Sequence, residues 1–317
     1  MKHWYIMEST TNKFSHNLLT WYDKNQRDLP WRKNNPPYEI VVSEIMLQQT
    51  NVPKVIEKFK EFLTLFPTIQ NLAAAEKSQV IQSWSGLGYN RRALMLHKFG
   101  QEIVNYHQGI IPQTTKELIA LPGIGPYTAG AIASFAFNKP EPAVDVNLRR
   151  TYMRYFHGQD QALPMNKLEE AELYTLIKSS IPKDKSSLLH NALMDFGSLI
   201  CKAKNPSCES CFQSKECKFA PLYKQHGQKA LFVKEKKQEP GISENGKHIP
   251  NRIFRGRIVE FIRNNPGTIE IQILGEKIKK DFTNEQEWLL TLITKLEKDG
   301  FITKEINEKH IELQLSN

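Results

Sequence analysis

All four cysteines of this 317-residue chain lie in one short segment, as Cys201, Cys208, Cys211 and Cys217, spaced C-x6-C-x2-C-x5-C. With no cysteine elsewhere, that segment must be organised around its thiols. Three uses are open to them. Disulfides belong to oxidising compartments, and residues 1–13 are polar and mixed with no apolar signal core. The chain is therefore expected in the cytoplasm, at the nucleoid in a prokaryote, where disulfides are disfavoured. Four thiolates can instead close a tetrahedral zinc site, which Cys208 and Cys211 alone would suit, or hold a cubane iron–sulfur cluster. No run reaches the about 20 apolar residues of a membrane span, so no membrane partner is expected, and the chain is expected to be a monomer.

Around the cysteines the sequence reads as a string of helices. Phe14, Leu18, Leu19, Trp21 and Tyr22 recur at helical spacing. Further helical runs cover 40–49, 55–66, 77–84, 91–106, 115–121, 127–136, 147–155, 168–179 and 187–199. Residues 8–222 thus form one mainly α domain. Residues 223–250, rich in Lys, Gln, Glu, Gly and Pro, read as a basic linker whose one apolar run is Leu231-Phe232-Val233. Residues 251–317 read as helices at 253–261, 271–278 and 285–296 and then two short strands, 301–305 and 310–315. Three helices and a ribbon make a winged-helix pattern, which often places its third helix in a DNA groove.

A formal net charge of +9 suits a polyanionic partner, because Lys and Arg release phosphate counterions on binding. Lys202, Lys204, Lys215 and Lys218 surround the cysteines. Between two helical runs stands Leu121-Pro122-Gly123-Ile124-Gly125-Pro126-Tyr127. Gly123 and Gly125 permit a tight turn with positive φ, and the free N–H groups of such a turn and the next helix start bind phosphate without reading sequence.

Two carboxylates are placed for chemistry. Glu44 lies among Ile40, Val41, Ile45, Met46 and Leu47; burial there raises its pKa, as a general acid requires. Asp145 precedes the helical run 147–155 and by pattern alone reads as its N-cap.

These features together resemble the endonuclease III and MutY superfamily of DNA glycosylases. The cysteine spacing resembles that family's ligand loop, which holds a [4Fe–4S] cluster. The 121–129 turn resembles its helix-hairpin-helix, and Val144-Asp145-Val146-Asn147-Leu148-Arg149-Arg150 its VDxNxxR segment. Ser43-Glu44-Ile45-Met46-Leu47-Gln48-Gln49-Thr50 is similar to the MutY branch, the adenine glycosylases of A·G mismatches. The resemblance covers about residues 14–221. It implies a helix-hairpin-helix DNA glycosylase fold: two helical subdomains with an iron–sulfur loop, here followed by the winged-helix-like domain. It further implies base excision repair of adenine opposite 8-oxoguanine or guanine, in double-stranded DNA carrying a mismatch or oxidative lesion.

Residue by residue, Asp145 matches the catalytic carboxylate, with Asn147 in the same motif, and Glu44 matches the acid that protonates adenine N7. Tyr127 stands where the bifunctional branch has a Schiff-base lysine. A phenol cannot form that adduct, so the enzyme is expected to leave an abasic site without strand cleavage. Trp31 and Arg32 match the lining of the adenine pocket. Tyr89 and Gln48, with Gln49 beside it, match the wedge that enters the base stack.

The sequence departs from the pattern in several places. Asn90 replaces a second Tyr after Tyr89, and Val146 replaces a Gly after Asp145. Asn191 replaces a Gln that contacts the flipped adenine; its stem reaches about 1.5 Å less far. Residues 251–317 are too short for the Nudix-like domain with which typical members recognise 8-oxoguanine. Two other readings stay open: a glycosylase for thymine or uracil in G mismatches, and a non-catalytic iron–sulfur DNA-binding regulator.

Overall fold

The computed structural model describes residues 2–34, 36–160, 165–227, 239–307 and 309–317. It is mainly helical, with its strands in the C-terminal part. It divides into two compact units, Met1–Ile45 with Ile110–Lys234, and Met46–Gly109 with Glu235–Asn317.

In the first unit the helix Lys2–Asn25 turns Phe14, Leu18 and Tyr22 into the core. Phe14 meets the rings of Tyr152, Tyr155 and Phe156 at centroid distances of 5.3, 4.6 and 5.3 Å. Those three aromatics come from the helix Val146–Tyr152 and the π-helical turn Met153–His157 that continues it. Trp21 stacks on Phe212 at 5.6 Å, and Gln213 Nε2 donates to Phe14 O at 2.9 Å. The amino-terminal helix is thereby tied to the cysteine loop.

The helix Thr115–Ile119 starts on a Thr114 side chain that accepts from Glu117 N–H. The turn after it contains Gly123 at φ 78, a conformation that glycine adopts without steric cost. Gly125, expected to share that conformation, does not: it is the extended N-cap of the helix Pro126–Phe137, at φ −93. That helix is lined with small residues, and the reason is packing. A Cβ on Gly130 would lie 2.5 Å from Pro142 O, so only glycine lets the segment leading to Asp145 run this close to the helix carrying Tyr127.

In the second unit four helices, Val52–Leu65, Ile69–Ala74, Lys77–Ser83 and Arg91–Tyr106, bury Val55, Phe59, Phe62, Leu72, Trp84, Leu96 and Phe99. Trp84 is fully buried and is a core residue. Asn51 and Thr68 cap the first two helices by accepting from Lys54 N–H and Asn71 N–H. Helices Asn251–Asn264, Ile271–Ile278 and Gln286–Lys298 form the expected three-helix set. The ribbon Ile302–Asn307 and His310–Leu315 gains a strand that the sequence pattern did not suggest, Gly267–Glu270, which pairs antiparallel with His310–Leu315.

The domain boundaries need correction. Residues 223–250 are not a linker throughout: the helix Phe219–His226 crosses the expected boundary, and Gly241–Glu244 pairs with Lys247–Pro250 as a hairpin. Its turn is Asn245-Gly246, both left-handed at φ 50 and 74, the conformation a two-residue hairpin requires. Ile242 and Ile249 face each other across it and pack on the core. The run Leu231-Phe232-Val233 lies outside the described residues. Nor are residues 251–317 a separate body: Ile81 and Leu94 share one apolar cluster with Phe254, Ile258, Val259 and Ile262.

Candidate active site

Glu44 sits on the helix Pro37–Leu47, whose apolar run Val41, Val42, Ile45 and Met46 is buried. The carboxyl is carried inside with it and is 6% exposed. Tyr127, in the first turn of the helix Pro126–Phe137, donates its hydroxyl proton to Glu44 Oε2 at 3.0 Å. Burial pushes Glu44 up to about 7, against the Tyr127 hydrogen bond and the Arg32 charge, while the Asp145 charge adds to the rise. Burial, then the charges of Glu44 and Asp145, hold the Tyr127 phenol well above its ordinary value. At neutral pH Tyr127 therefore keeps its phenolic proton, and a large share of the Glu44 carboxyl is protonated.

Asp145 is half-buried and caps the helix Val146–Tyr152. Its Oδ1 accepts from the N–H groups of Asn147 and Leu148 at 2.8 Å, and its Oδ2 from Asn147 Nδ2 at 2.7 Å. Burial raises its pKa, and these bonds with the Arg150 charge oppose the rise. Behind the cap, Asn147 Oδ1 accepts from Arg150 Nη2 at 2.7 Å, and Arg150 Nε donates to Cys201 O at 2.8 Å. A continuous set of bonds thus runs from the cysteine loop to the Asp145 carboxylate. On the other side His190, wholly buried, accepts Ala143 N–H on Nε2 at 3.1 Å, while Nδ1 bonds Ser186 O at 2.8 Å. Burial depresses His190 to about 4, so a neutral imidazole fixes the extended segment two residues before Asp145.

Trp31, on the short helical turn Pro30–Arg32, is buried at 5% exposure. Arg32 is more constrained than its resemblance implies. Nη1 and Nη2 bond the two oxygens of Asp195 at 2.9 Å each, and Arg27 Nε adds a third bond at 2.7 Å. Burial raises the Asp195 pKa, but Arg32 and then Arg27 outweigh it and hold the carboxyl below its ordinary range. Arg32 is therefore first an anchor of this wall. Asn191 is half-buried on the helix Ser186–Leu199, next to His190. Gly123 and Gly125 are exposed. Among the described residues their N–H groups have no partner, and a Cβ on Gly125 would meet nothing within 4 Å. The fold itself thus has no need of glycine at 125; the open space above the turn is what a close-approaching ligand requires.

In the second unit Gln48 is half-buried, Gln49 exposed and left-handed at φ 59, and Tyr89 48% exposed at φ 45. Arg92 ties the Gln48 and Tyr89 segments together. Its guanidinium donates to Met46 O and Gln48 O at 2.8 and 2.6 Å and to Leu87 O and Gly88 O at 3.0 Å each.

The four cysteines line one cavity, walled by Thr151, Arg154, Tyr155 and Phe219 among others. Among the described residues no group of three or more His, Cys, Asp or Glu is placed to hold a metal ion. The cavity nevertheless brings all four cysteines to one wall. Among the described residues the Tyr155 and Thr151 hydroxyls are buried there without a hydrogen-bond partner, and such hydroxyls can donate to sulfide acceptors. Without a metal, burial pushes the Cys208 and Cys211 thiols up to about 11 and 12; thiolate ligation there needs the charge of a bound metal group. Lys202, Lys204, Lys215 and Lys218 are all exposed on this loop.

The pattern reading missed Asp195, Arg27, His190, Arg150 and Arg154, whose Nη1 donates to Lys202 O of the cysteine loop at 2.7 Å. The one trace of them is the spacing of Asn147, Arg150 and Arg154, three and four apart, which puts all three on one helical face.

Residues 42–179 match the family model for HhH-GPD superfamily base excision DNA repair proteins. The adenine DNA glycosylase of Buchnera aphidicola from Acyrthosiphon pisum is 41% identical over 205 residues, which are 64% of this chain and 58% of that protein. The adenine DNA glycosylase of Mycobacterium tuberculosis is 38% identical over 197 residues, 62% of this chain and 64% of that one. The chain thus spans 58% and 64% of the length of these two relatives. Among solved structures, a non-covalent endonuclease III–DNA complex shares the fold, with a TM-score of 0.58 at 21% identity. A thermostable thymine-DNA glycosylase superposes with a TM-score of 0.62 at 30% identity, over 68% of this chain and 98% of that one. With that structure matched over nearly its whole length, the chain belongs to the HhH-GPD superfamily of base excision DNA repair proteins.

Proposed function

We propose that the protein is a monofunctional adenine DNA glycosylase that hydrolyses the N-glycosidic bond of adenine opposite 8-oxoguanine or guanine in double-stranded DNA. The observation that carries this reading is the buried Glu44 bonded to a half-buried Tyr127, with a half-buried, helix-capping Asp145 close by. Excising a purine needs the leaving base neutralised by a proton and the sugar's oxocarbenium-like charge balanced. Glu44, held near neutrality by burial, is the proton donor. Tyr127 occupies Oε2, leaving Oε1 to present the proton to the base. Asp145 supplies the negative charge. Trp31 and Asn191 line the base pocket, and Gly123 and Gly125 hold a backbone phosphate. Tyr89, Gln48 and Gln49 fill the gap left by the flipped nucleotide. The enzyme acts as a monomer wherever the genome is held.

In the same reading Cys201, Cys208, Cys211 and Cys217 hold a [4Fe–4S] cluster, which supplies ligand bonds that fold the basic loop. Hydrolysis moves no electrons, and this chain's own residues do the chemistry. Protein purified without oxygen should contain roughly four iron atoms per chain, and Cys208→Ser should lower that content; one zinc and no iron would overturn the assignment.

The activity test uses duplexes containing A·8-oxoG, A·G, G·T and G·U, treated with alkali after incubation. Scission of the adenine strand is expected. Scission at T or U alone would transfer the enzyme to mismatch thymine excision, and tight binding with no scission would make it a regulator. Leaving out alkali should abolish scission, since Tyr127 forms no Schiff base. Comparable scission without alkali contradicts the role given to Tyr127.

A further inference from the structure

The helix Asn251–Asn264 touches the Tyr89 segment at its start, flank and tip, all within the second compact unit. Arg263 donates Nε and Nη2 to Ile81 O at 3.1 and 2.8 Å, and Nη2 to Asn90 Oδ1 at 3.2 Å. Ser85 Oγ donates to Glu260 Oε1 at 2.8 Å. Arg252 Nη1 donates to the Tyr89 hydroxyl at 3.2 Å, with its guanidinium 5.5 Å from the centre of the Tyr89 ring. Arg92 also stands 5.8 Å from the same ring. Tyr89 thus has two cations near its ring and takes a left-handed conformation that non-glycine residues rarely adopt. Asn90, which departs from the family's paired tyrosines, is the residue that accepts from Arg263.

We propose that Arg252 is a positioning residue for Tyr89, and that the helix Asn251–Asn264 is thereby a working part of the DNA-engaging element. The inference rests on the reading that Tyr89 enters the duplex. Arg252 acts on it from outside the glycosylase motifs. Its Nε is held by Glu239 Oε2 at 2.7 Å, which orients Nη1 toward the phenol. An aromatic wedge works only when it meets the base step at one angle, and the hydrogen bond to its single polar atom sets that angle. The other reading of an exposed arginine next to a DNA-contacting residue is a plain phosphate contact, and the two differ in what they predict.

The test is a double-mutant cycle on the full chain with Arg252→Ala, Tyr89→Phe and both together. Affinity is measured for a duplex carrying an abasic-site analogue opposite 8-oxoguanine, with 2-aminopurine next to it to report unstacking. Arg252→Ala is expected to weaken binding about tenfold and to reduce the 2-aminopurine signal. Tyr89→Phe should do the same, and the double variant should be no worse than either single one. The dependence of affinity on salt should keep its slope. If Arg252→Ala lowers that slope by about one, adds to Tyr89→Phe, and is restored by Arg252→Lys, Arg252 is a phosphate contact and the proposal fails. These binding readouts stand whichever base is removed. A wild-type protein that excises no adenine would sink the adenine reading, not this one.

Discussion

Glu44→Gln is expected to slow adenine excision by roughly 10²- to 10⁴-fold, the range a positioned general acid supplies, while making the protein more stable above neutral pH. Both effects have one cause. The carboxyl is buried, and burial raises its pKa from 4.5 to about 7. Between those values the native state holds a proton that the unfolded chain has released. Stability from Glu44 is therefore fully present below pH 4.5 and is lost as the pH rises through 7. At pH 8 the wild-type fold carries a buried carboxylate at a cost on the order of 3 kcal/mol, which the neutral amide avoids. His190, depressed to about 4, works in the opposite direction at acid pH. It is present in both proteins, so their difference isolates Glu44. Single-turnover rates and urea midpoints from pH 5 to 8.5 check both arms. The wild-type rate should fall above about pH 7 and the variant's should stay flat. A Glu44→Gln chain that loses activity without gaining stability at pH 8 would mean that Glu44 is ionised in the fold and serves as a base.

How much of this was legible in the sequence depends on the length scale of the cause. The cysteine loop and the turn around Gly123 are local patterns, and both are where spacing placed them. The Glu44 burial was legible because Val41, Val42, Ile45 and Met46 surround it on its own helix. What pattern could not supply is partnership across long separations. Asp195 is separated from Arg32 by 163 residues and from Arg27 by 168, so nothing near either arginine marks it as an ion-pair partner. The same holds for His190 and Ala143. In the C-terminal part, Lys- and Gly-rich composition suggested a linker, yet Asn245-Gly246 between two short runs is a hairpin signal that composition hid. The strand Gly267–Glu270 is too short to show a period of its own and exists because His310–Leu315 offers it a partner.

Asp145→Asn separates the two things this side chain does. By pattern it is a helix N-cap, and the structure makes it one; the proposed chemistry makes it also the counter-charge for the sugar cation. Asparagine caps a helix about as well as aspartate and can still accept from the N–H groups of Asn147 and Leu148. It also removes a carboxylate that burial already disfavours. Stability at pH 7 should therefore stay within about 0.5 kcal/mol of wild type, whereas Asp145→Ala, which loses the cap, should cost about 1 kcal/mol. Excision should fall by on the order of 10³-fold or more in both variants, because a fixed charge aimed at the developing charge in a half-buried site is among the largest contributions an enzyme makes. Duplex affinity should hold or tighten, since a negative group that phosphates must approach is gone. Measured together, denaturant midpoints, duplex affinity and single-turnover rates place each role on its own axis. If Asp145→Asn excises adenine within about tenfold of wild type while Asp145→Ala is both unstable and slow, then the carboxylate matters only as a cap, and the charge that balances the sugar must come from another residue of this wall.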